Sequence, residues 1–413
     1  MPAPADRART ASPVLVAGLF VVVLGGRFGP AAEHARPLGL DPRALACLAL
    51  LLLTVLWALG AGRYRVPLRP LGGVLALLGY LLLGGLWAHP AARLDAVGLD
   101  LAMLGVLVVA AALIVAPDPA RALYWFLLLS LGAAVVFAVA AWYSGPGQQG
   151  RYAAFGGGPN VFVRIQCLGV ISAIALALRD RRAWYLTPTP LLLYSAFLSG
   201  SRGGLAALTV AAAVALVVGW RLRLGHALGV LAAGLGLAVL AYVAGNAGLT
   251  RLYRRYTLAG LQGGDFSVRP ELLRRAWRVL ADDPLFGGGL DGFRAHAGRY
   301  IDMDYPHNLA AEVGADGGAV GLALLAGAVA WLLLHAGGRA TWATWDRGGC
   351  LVAAAYLAAA SMFSGGYYDT RQLWVYLTFL AALAASGGPA PAAPRPGQPP
   401  VPRAGADRRE IAA

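Results

Sequence analysis

The chain contains no lysine, so its 34 basic residues are all arginines. A Gly-x-x-x-x-Gly-Lys-Ser/Thr phosphate loop needs a lysine to reach the β- and γ-phosphates, and its absence removes the usual machinery for nucleotide-driven transport. The arginine-, alanine- and glycine-rich background matches a high-GC coding bias, so the missing lysine carries no functional message of its own. Charge of any kind is scarce, at 13% of residues against about 25% in an average soluble domain. Cysteine is also rare. Cys47, Cys167 and Cys350 each fall within or beside an apolar segment, with no Cys-x-x-Cys spacing and no histidine close in sequence, which excludes a disulfide framework and a zinc site. His-Glu-x-x-His, Gly-x-Ser-x-Gly and any βαβ nucleotide-binding pattern are missing too, which argues against zinc or serine hydrolysis.

What is present is apolar. Hydrophobic residues make up 59% of the 413-residue chain, against about 45–50% in soluble domains. The formal net charge of +14 would suggest nucleic acid if the arginines clustered on one face, but they are spaced between apolar runs, and no nucleic-acid partner is expected. Runs long enough to cross a bilayer, roughly 17–25 residues, occur at about 13–27, 43–60, 70–88, 96–116, 121–143, 159–178, 183–199, 203–220, 225–245, 307–335, 348–364 and 371–387. None shows the alternation of a barrel strand. The expected fold is therefore all-α, a polytopic transmembrane bundle of about twelve helices. The first run resembles a signal peptide, but similar runs follow it, and a retained first helix is the better reading.

Arginine placement orients the bundle. With the N-terminus inside, the cytoplasmic side collects Arg63, Arg65, Arg69, Arg179, Arg181, Arg182, Arg221, Arg223 and the tail arginines, while the opposite short loops hold far fewer. Both termini are then cytoplasmic by the positive-inside rule. The chain divides into transmembrane helices one to nine (1–245), a periplasmic helical loop (246–306), helices ten to twelve (307–387) and a Pro/Ala/Gly-rich tail (388–413) of disordered composition. A loop of that length is usually functional. Pro270 opens an amphipathic helix with Leu272, Leu273, Ala276, Trp277 and Leu280 on one side and Arg274, Arg275 and Arg278 on the other. A second short helix is expected over 249–258.

Four stretches could carry chemistry. Ser199-Gly200-Ser201-Arg202-Gly203-Gly204 interrupts two apolar runs; its glycines permit close backbone approach, and exposed N–H groups beside an arginine suit an anion. A tight turn with a snorkelling arginine fits the same residues, and local sequence leaves both readings open. Asn160 and Arg164 share a helix face just inside the sixth run, where a charge must face a cavity or a partner. Among the loop arginines, most of which suit a solvated helix face or lipid head groups, Arg269 stands apart because it precedes Pro270 at the helix entry. Finally, Asp302-Met303-Asp304-Tyr305-Pro306-His307-Asn308 leads into the tenth run. A histidine there is neutral at pH 7 and able to take a proton from a hydroxyl, although an interfacial or capping histidine would look the same. Asp302-x-Asp304 matches the metal-binding pair of soluble nucleotide-sugar transferases, but two acids at that spacing are common by chance. No metal and no cofactor are expected.

Taken in order, these stretches resemble the O-antigen ligase and polymerase superfamily of bacterial inner membranes. Gly158-Pro159-Asn160 is similar to that family's Asn-Pro-Asn entry to a span, with Gly158 replacing the first Asn, and Ser199–Gly204 resembles its Ser-Arg-Gly signature. Arg269, Trp277 and Asp283-Pro284-Leu285-Phe286-Gly287-Gly288-Gly289 are similar to its Arg…Trp…Pro-Leu-x-Gly-x-Gly stretch, with the tryptophan displaced. His307-Asn308 followed after nine residues by Gly318, and then by Gly321, resembles the ligase pattern. The likeness covers roughly residues 155–325.

The resemblance implies a metal-independent glycosyltransferase acting at the periplasmic face of the inner membrane. Its donor would be O-antigen on undecaprenyl diphosphate and its acceptor lipid A–core, with membrane lipid around both. Arg202 and Arg269 would stabilise the diphosphate and His307 would stand near the acceptor hydroxyl, these three being the catalytic candidates. Arg164, Asn160, Asn308, Ser201, Arg151, Arg278 and Tyr305 are the candidate substrate contacts. An O-antigen polymerase or protein O-oligosaccharyltransferase, with the same donor and another acceptor, is the nearest alternative. A lipid-linked glycan flippase is the alternative of another class, disfavoured because the charged residues keep to one membrane edge instead of lining several spans at mid-depth.

Overall fold

The computed structural model describes residues 11–25, 41–61, 66, 68–147, 150–219, 268–297, 304–336, 342 and 344–386. Among them the regular elements are all helical. In chain order they are α1 (Pro13–Gly25), α2 (Pro42–Ala61), α3 (Leu68–Leu83), α4 (Leu94–Val115), α5 (Pro119–Ser144), α6 (Pro159–Asp180), α7 (Thr189–Leu198), α8 (Arg202–Val217), α9 (Val268–Asp282), α10 (Gly292–Ala297), α11 (Leu309–His335), α12 (Trp345–Ser361) and α13 (Arg371–Ser386).

Among the described residues, six segments are long and apolar enough to cross a bilayer: Pro42–Gly60, Arg69–Leu86, Leu94–Val115, Pro119–Ser144, Pro159–Asp180 and Leu309–His335. On α2 the side chains of Leu48, Leu52, Leu53, Leu56 and Leu59 are exposed along the helix, a continuous apolar surface that lipid covers and water would not tolerate. The chain is a multi-pass membrane protein. Further in, α6 and α13 are almost wholly enclosed, and Phe126 on α5 meets Tyr376 and Phe379 of α13 with ring centroids 5.6 and 5.3 Å apart. Close-packed aromatic pairs of this kind add about 0.5–1.5 kcal/mol beyond area burial.

Of the twelve expected runs, the one near 225–245 lies outside the described residues, as do the short helix at 249–258 and the tail at 388–413. The run expected at about 183–199 is not one continuous helix. A 3₁₀ turn at Ala183–Leu186 precedes α7, which is only 10 residues long. The cause is local: Pro188 and Pro190 interrupt the apolar stretch, and a proline inside a helix removes a hydrogen bond and clashes with the preceding turn. At 1.5 Å per residue, α7 reaches about 15 Å, half the hydrocarbon thickness. Its end, Ser199, is fully buried, and Ser201 is 5% exposed, so the junction between α7 and α8 lies inside protein.

The helix expected from Pro270 is α9. Leu272, Ala276 and Val279 are buried together with Phe293 and with Ala315 of α11, each larger side chain contributing about 1.5–3 kcal/mol on burial. The connection from α9 to α11 is a backbone clasp. Helix α11 breaks at Gly318, whose φ of 62° and ψ of −157° no side-chain-bearing residue adopts readily. The 284–289 strand of chain enters that break: Gly288 and Gly289 donate to Ala315 and Asp316 carbonyls at 2.8 and 3.0 Å, while Ala319 and Val320 donate back to Pro284 and Leu285 at 2.9 and 3.2 Å. A Cβ on Gly318 would stand 2.5 Å from the Leu285 carbonyl group, and one on Gly287 2.5 Å from Gly318 N. The two glycine-containing motifs are thus the two halves of one joint.

Candidate active site

Four separated segments meet at the turn that follows α12, residues 362–366. Arg164 of α6, 6% exposed, points its guanidinium at the end of α12, donating to the Ala360 carbonyl at 3.3 Å, to the Ser364 carbonyl, and to the Asp369 carbonyl at 3.3 Å. A helix C-terminus presents unsatisfied carbonyls and a partial negative charge, so a buried arginine is stabilised there. Asn308 serves the same end from another direction, with Nδ2 donating to the Met362 carbonyl at 3.1 Å. Its Oδ1 accepts from Ala311 N at 2.9 Å and so caps α11.

The Ser-Arg-Gly stretch packs against the same turn. Ser201 caps α8, accepting from Gly204 N at 3.4 Å, and its hydroxyl donates to Asn160 Oδ1 at 2.8 Å. Arg151 ties this corner down, donating to the Ser199 carbonyl at 2.9 Å and to Asn160 at 3.3 Å. The two glycines after Arg202 are contact points. A Cβ on Gly203 would lie 2.5 Å from Phe363 Cβ, and one on Gly204 2.3 Å from Val163 Cγ1. Helix α8 can approach α6 and the 362–366 turn only without those atoms, and that approach fixes where Arg202, its half-buried first residue, begins.

A pocket is left between these parts, lined by Asn160, Arg164, Ser201, Arg269, Phe363 and Ser364 among others. Arg269 reaches it from the first turn of α9. His307 stands close enough for Arg269 and Arg164 to act on its charge. Burial first, and then those two guanidiniums, push the imidazole down to about 4, against an opposing pull from Asp369. His307 is held in the left-handed region at φ 56°, uncommon for a residue with a side chain, and its ring packs on Tyr305 at 4.3 Å between centroids.

A family model described as O-antigen ligase matches residues 189–326. Over this stretch the chain is similar to the O-antigen ligase family. The matched O-antigen ligase region holds α7, α8, Arg202, Arg269, His307 and the Gly318 break, whereas Arg164, Asn160 and the 362–366 turn lie outside it. No curated protein matches the chain. An O-antigen ligase-type membrane enzyme has a glycosyltransferase-like task, and a cationic pocket beside a neutral imidazole is chemically suited to it.

Asn160, Arg164, Ser201 and Arg269 share the pocket, with His307 within electrostatic reach. Arg151 and Asn308 are one layer out, holding Asn160 and the α11 cap. Arg278 is exposed on α9, two turns beyond Arg269. Of the Asp302-x-Asp304 pair, Asp302 is outside the described residues, and Asp304 is ion-paired with Arg93 at 2.8 Å. Sequence reasoning overlooked the 362–366 turn and Asp369. The adjacent Gly365-Gly366 pair was a usable turn signal, and Gly365 has φ 94°.

Proposed function

We propose that this protein is an O-antigen ligase that moves the polysaccharide from undecaprenyl diphosphate to lipid A–core at the periplasmic face of the inner membrane. The observation that carries the reading is the meeting of Arg164 and Arg269 in one pocket with Ser201 and Asn160, beside a histidine kept neutral. As the acceptor oxygen bonds to the anomeric carbon, the bond from that carbon to the diphosphate oxygen breaks and its electron pair leaves with the diphosphate. The acceptor proton passes to the His307 imidazole. Guanidiniums fixed in advance stabilise the charge that grows on the leaving group without reorganising, and they need no metal to do so. Arg269 and Arg202 fill this role, while Arg164, Asn160 and Ser201 orient the head group.

The test is transfer by the purified full-length protein from lipid-linked O-antigen to lipid A–core. Arg202→Ala, Arg269→Ala and His307→Ala should each lower the rate by about 10²–10³, the usual cost of losing one transition-state donor or base. Near-normal transfer by the Arg269 and His307 variants would overturn the mechanism. Labelling of glycan chains or of a protein in place of lipid A–core would overturn the choice of acceptor.

A further inference from the structure

A second cavity, of opposite charge, adjoins the same turn. Its cavity volume is about 150 Å³, and its walls carry Asp100, Asp291, Asp304 and Glu312 against one arginine, Arg93, with Tyr305 and Tyr367. The two cavities border the same turn, Phe363 and Ser364 lining the first and Gly366 the second. Tyr305 lines this one and packs on His307. A Cβ on Gly366 would stand 3.3 Å from Glu312 Oε1 and 3.8 Å from Tyr305 Cγ, so the turn that bounds the arginine pocket also bounds this one.

The lining chooses its ligand. Asp100, Asp291 and Asp304 are ion-paired with Arg43, Arg294 and Arg93 at 3.1, 2.7 and 2.8 Å, so with Glu312 the lining is rich in acceptor oxygens and only modestly negative, and a diphosphate belongs with the arginines next door. Arg93 and Asp304 hold each other at 2.8 Å, and the Arg93 backbone N–H donates to Asp291 at 2.8 Å, which fixes these acceptors at the cavity wall. Glu312, 7% exposed on the first turn of α11, is placed five residues after His307 and faces the same space. Carboxylates accept strong hydrogen bonds from hydroxyl pairs, and a tyrosine ring offers an apolar face to the C–H side of a sugar. An uncharged, hydroxyl-rich ring fits all three features, and the contact between Tyr305 and His307 would bring one of its hydroxyls towards the base.

We propose that this carboxylate-lined cavity is the subsite for the acceptor saccharide, with Glu312 and Asp304 accepting from its hydroxyls and Tyr305 packing on its ring. The inference rests on the transferase reading above and divides that reading's two substrates between two cavities of opposite sign. It is tested with the full-length protein by varying donor and acceptor separately, for Glu312→Gln and for Ala96→Trp. Ala96 lines the cavity but is exposed near the start of α4, so a large side chain there obstructs the space without disturbing the core. Both variants should raise the acceptor KM about tenfold or more, the scale of one lost charge-assisted hydrogen bond, and leave the donor KM within about twofold. An unchanged acceptor KM in Ala96→Trp, or a rise in donor KM instead, would overturn the assignment. Arg269→Ala, run alongside, should impair use of the donor; wild-type protein that transfers glycan to no saccharide acceptor would instead sink the transferase reading itself.

Discussion

His307 takes its character from three sources that sequence displays only in part. Its position before a span was visible. Its neutrality comes from burial and from Arg269 and Arg164, which approach from 38 residues before it and from another span altogether. With the imidazole pushed down to about 4, a base at this position is already unprotonated through the neutral range. Transfer should therefore hold steady from about pH 8 to pH 6 and fall only as pH drops towards 4, measured as kcat/KM for the acceptor. An ordinary histidine would begin to fail near 6.5. The linkage has a definite sign. The unfolded chain binds this proton more readily than the folded one, so the group leaves stability unaffected above about 6.5 and lowers it progressively between there and 4. Arg164 was legible as a costly charge on a helix, but its partners were not, because backbone carbonyls of Ala360, Ser364 and Asp369 carry no side-chain signature.

At the scale of elements, the glycines separate into two kinds that the sequence presents alike. Gly204 is needed for space, since its φ is ordinary but a Cβ would meet Val163 Cγ1 at 2.3 Å. Gly318 is needed for conformation as well, at φ 62°. Gly204→Ala should move the start of α8, and with it Arg202, so the expected loss is mainly in transfer rate; replacing Val163 by Ala as well should recover part of it. Gly318→Ala should cost about 1–3 kcal/mol through strain alone and appear as a lower unfolding midpoint that no neighbouring substitution restores. The amphipathic pattern after Pro270 gave α9 and the burial of Leu272 and Ala276, but Trp277, expected on the same face, is 67% exposed, and Val279 is buried in its stead. The expected continuous run at 183–199 failed because a window average of hydropathy hides Pro188 and Pro190, which a helix tolerates only at its start, and α7 starts there.

For the molecule as a whole, composition already implied a membrane bundle, and the exposed leucines of α2 match that expectation. What composition cannot convey is which helices are central. Helices α6 and α13 carry polar residues yet are the most enclosed, because Arg164, Gln166, Arg371 and Thr378 have partners within the bundle. We propose the orientation that the arginine bias implies, with both termini cytoplasmic. Reporter fusions at both ends should report a cytoplasmic location, and a cysteine placed at exposed Arg278 should react with an impermeant thiol reagent added from the periplasmic side. Reaction only after the cytoplasmic side is opened would reverse the topology and move the pocket to the wrong face for lipid-linked O-antigen.

The clasp between residues 284–289 and the Gly318 break is built from main-chain groups, with N–H and C=O on both sides. A joint of that composition is indifferent to most side chains. In a library randomised over 284–290 and 317–320, variants selected for glycan transfer should tolerate wide exchange at Leu285, Phe286, Ala319 and Val320, which supply backbone atoms to it or, at Phe286, an exposed ring. They should keep glycine at 287 and 318. Mutational tolerance there would be patterned by backbone geometry, leaving a short spaced-glycine code able to outlast extensive drift in the surrounding sequence.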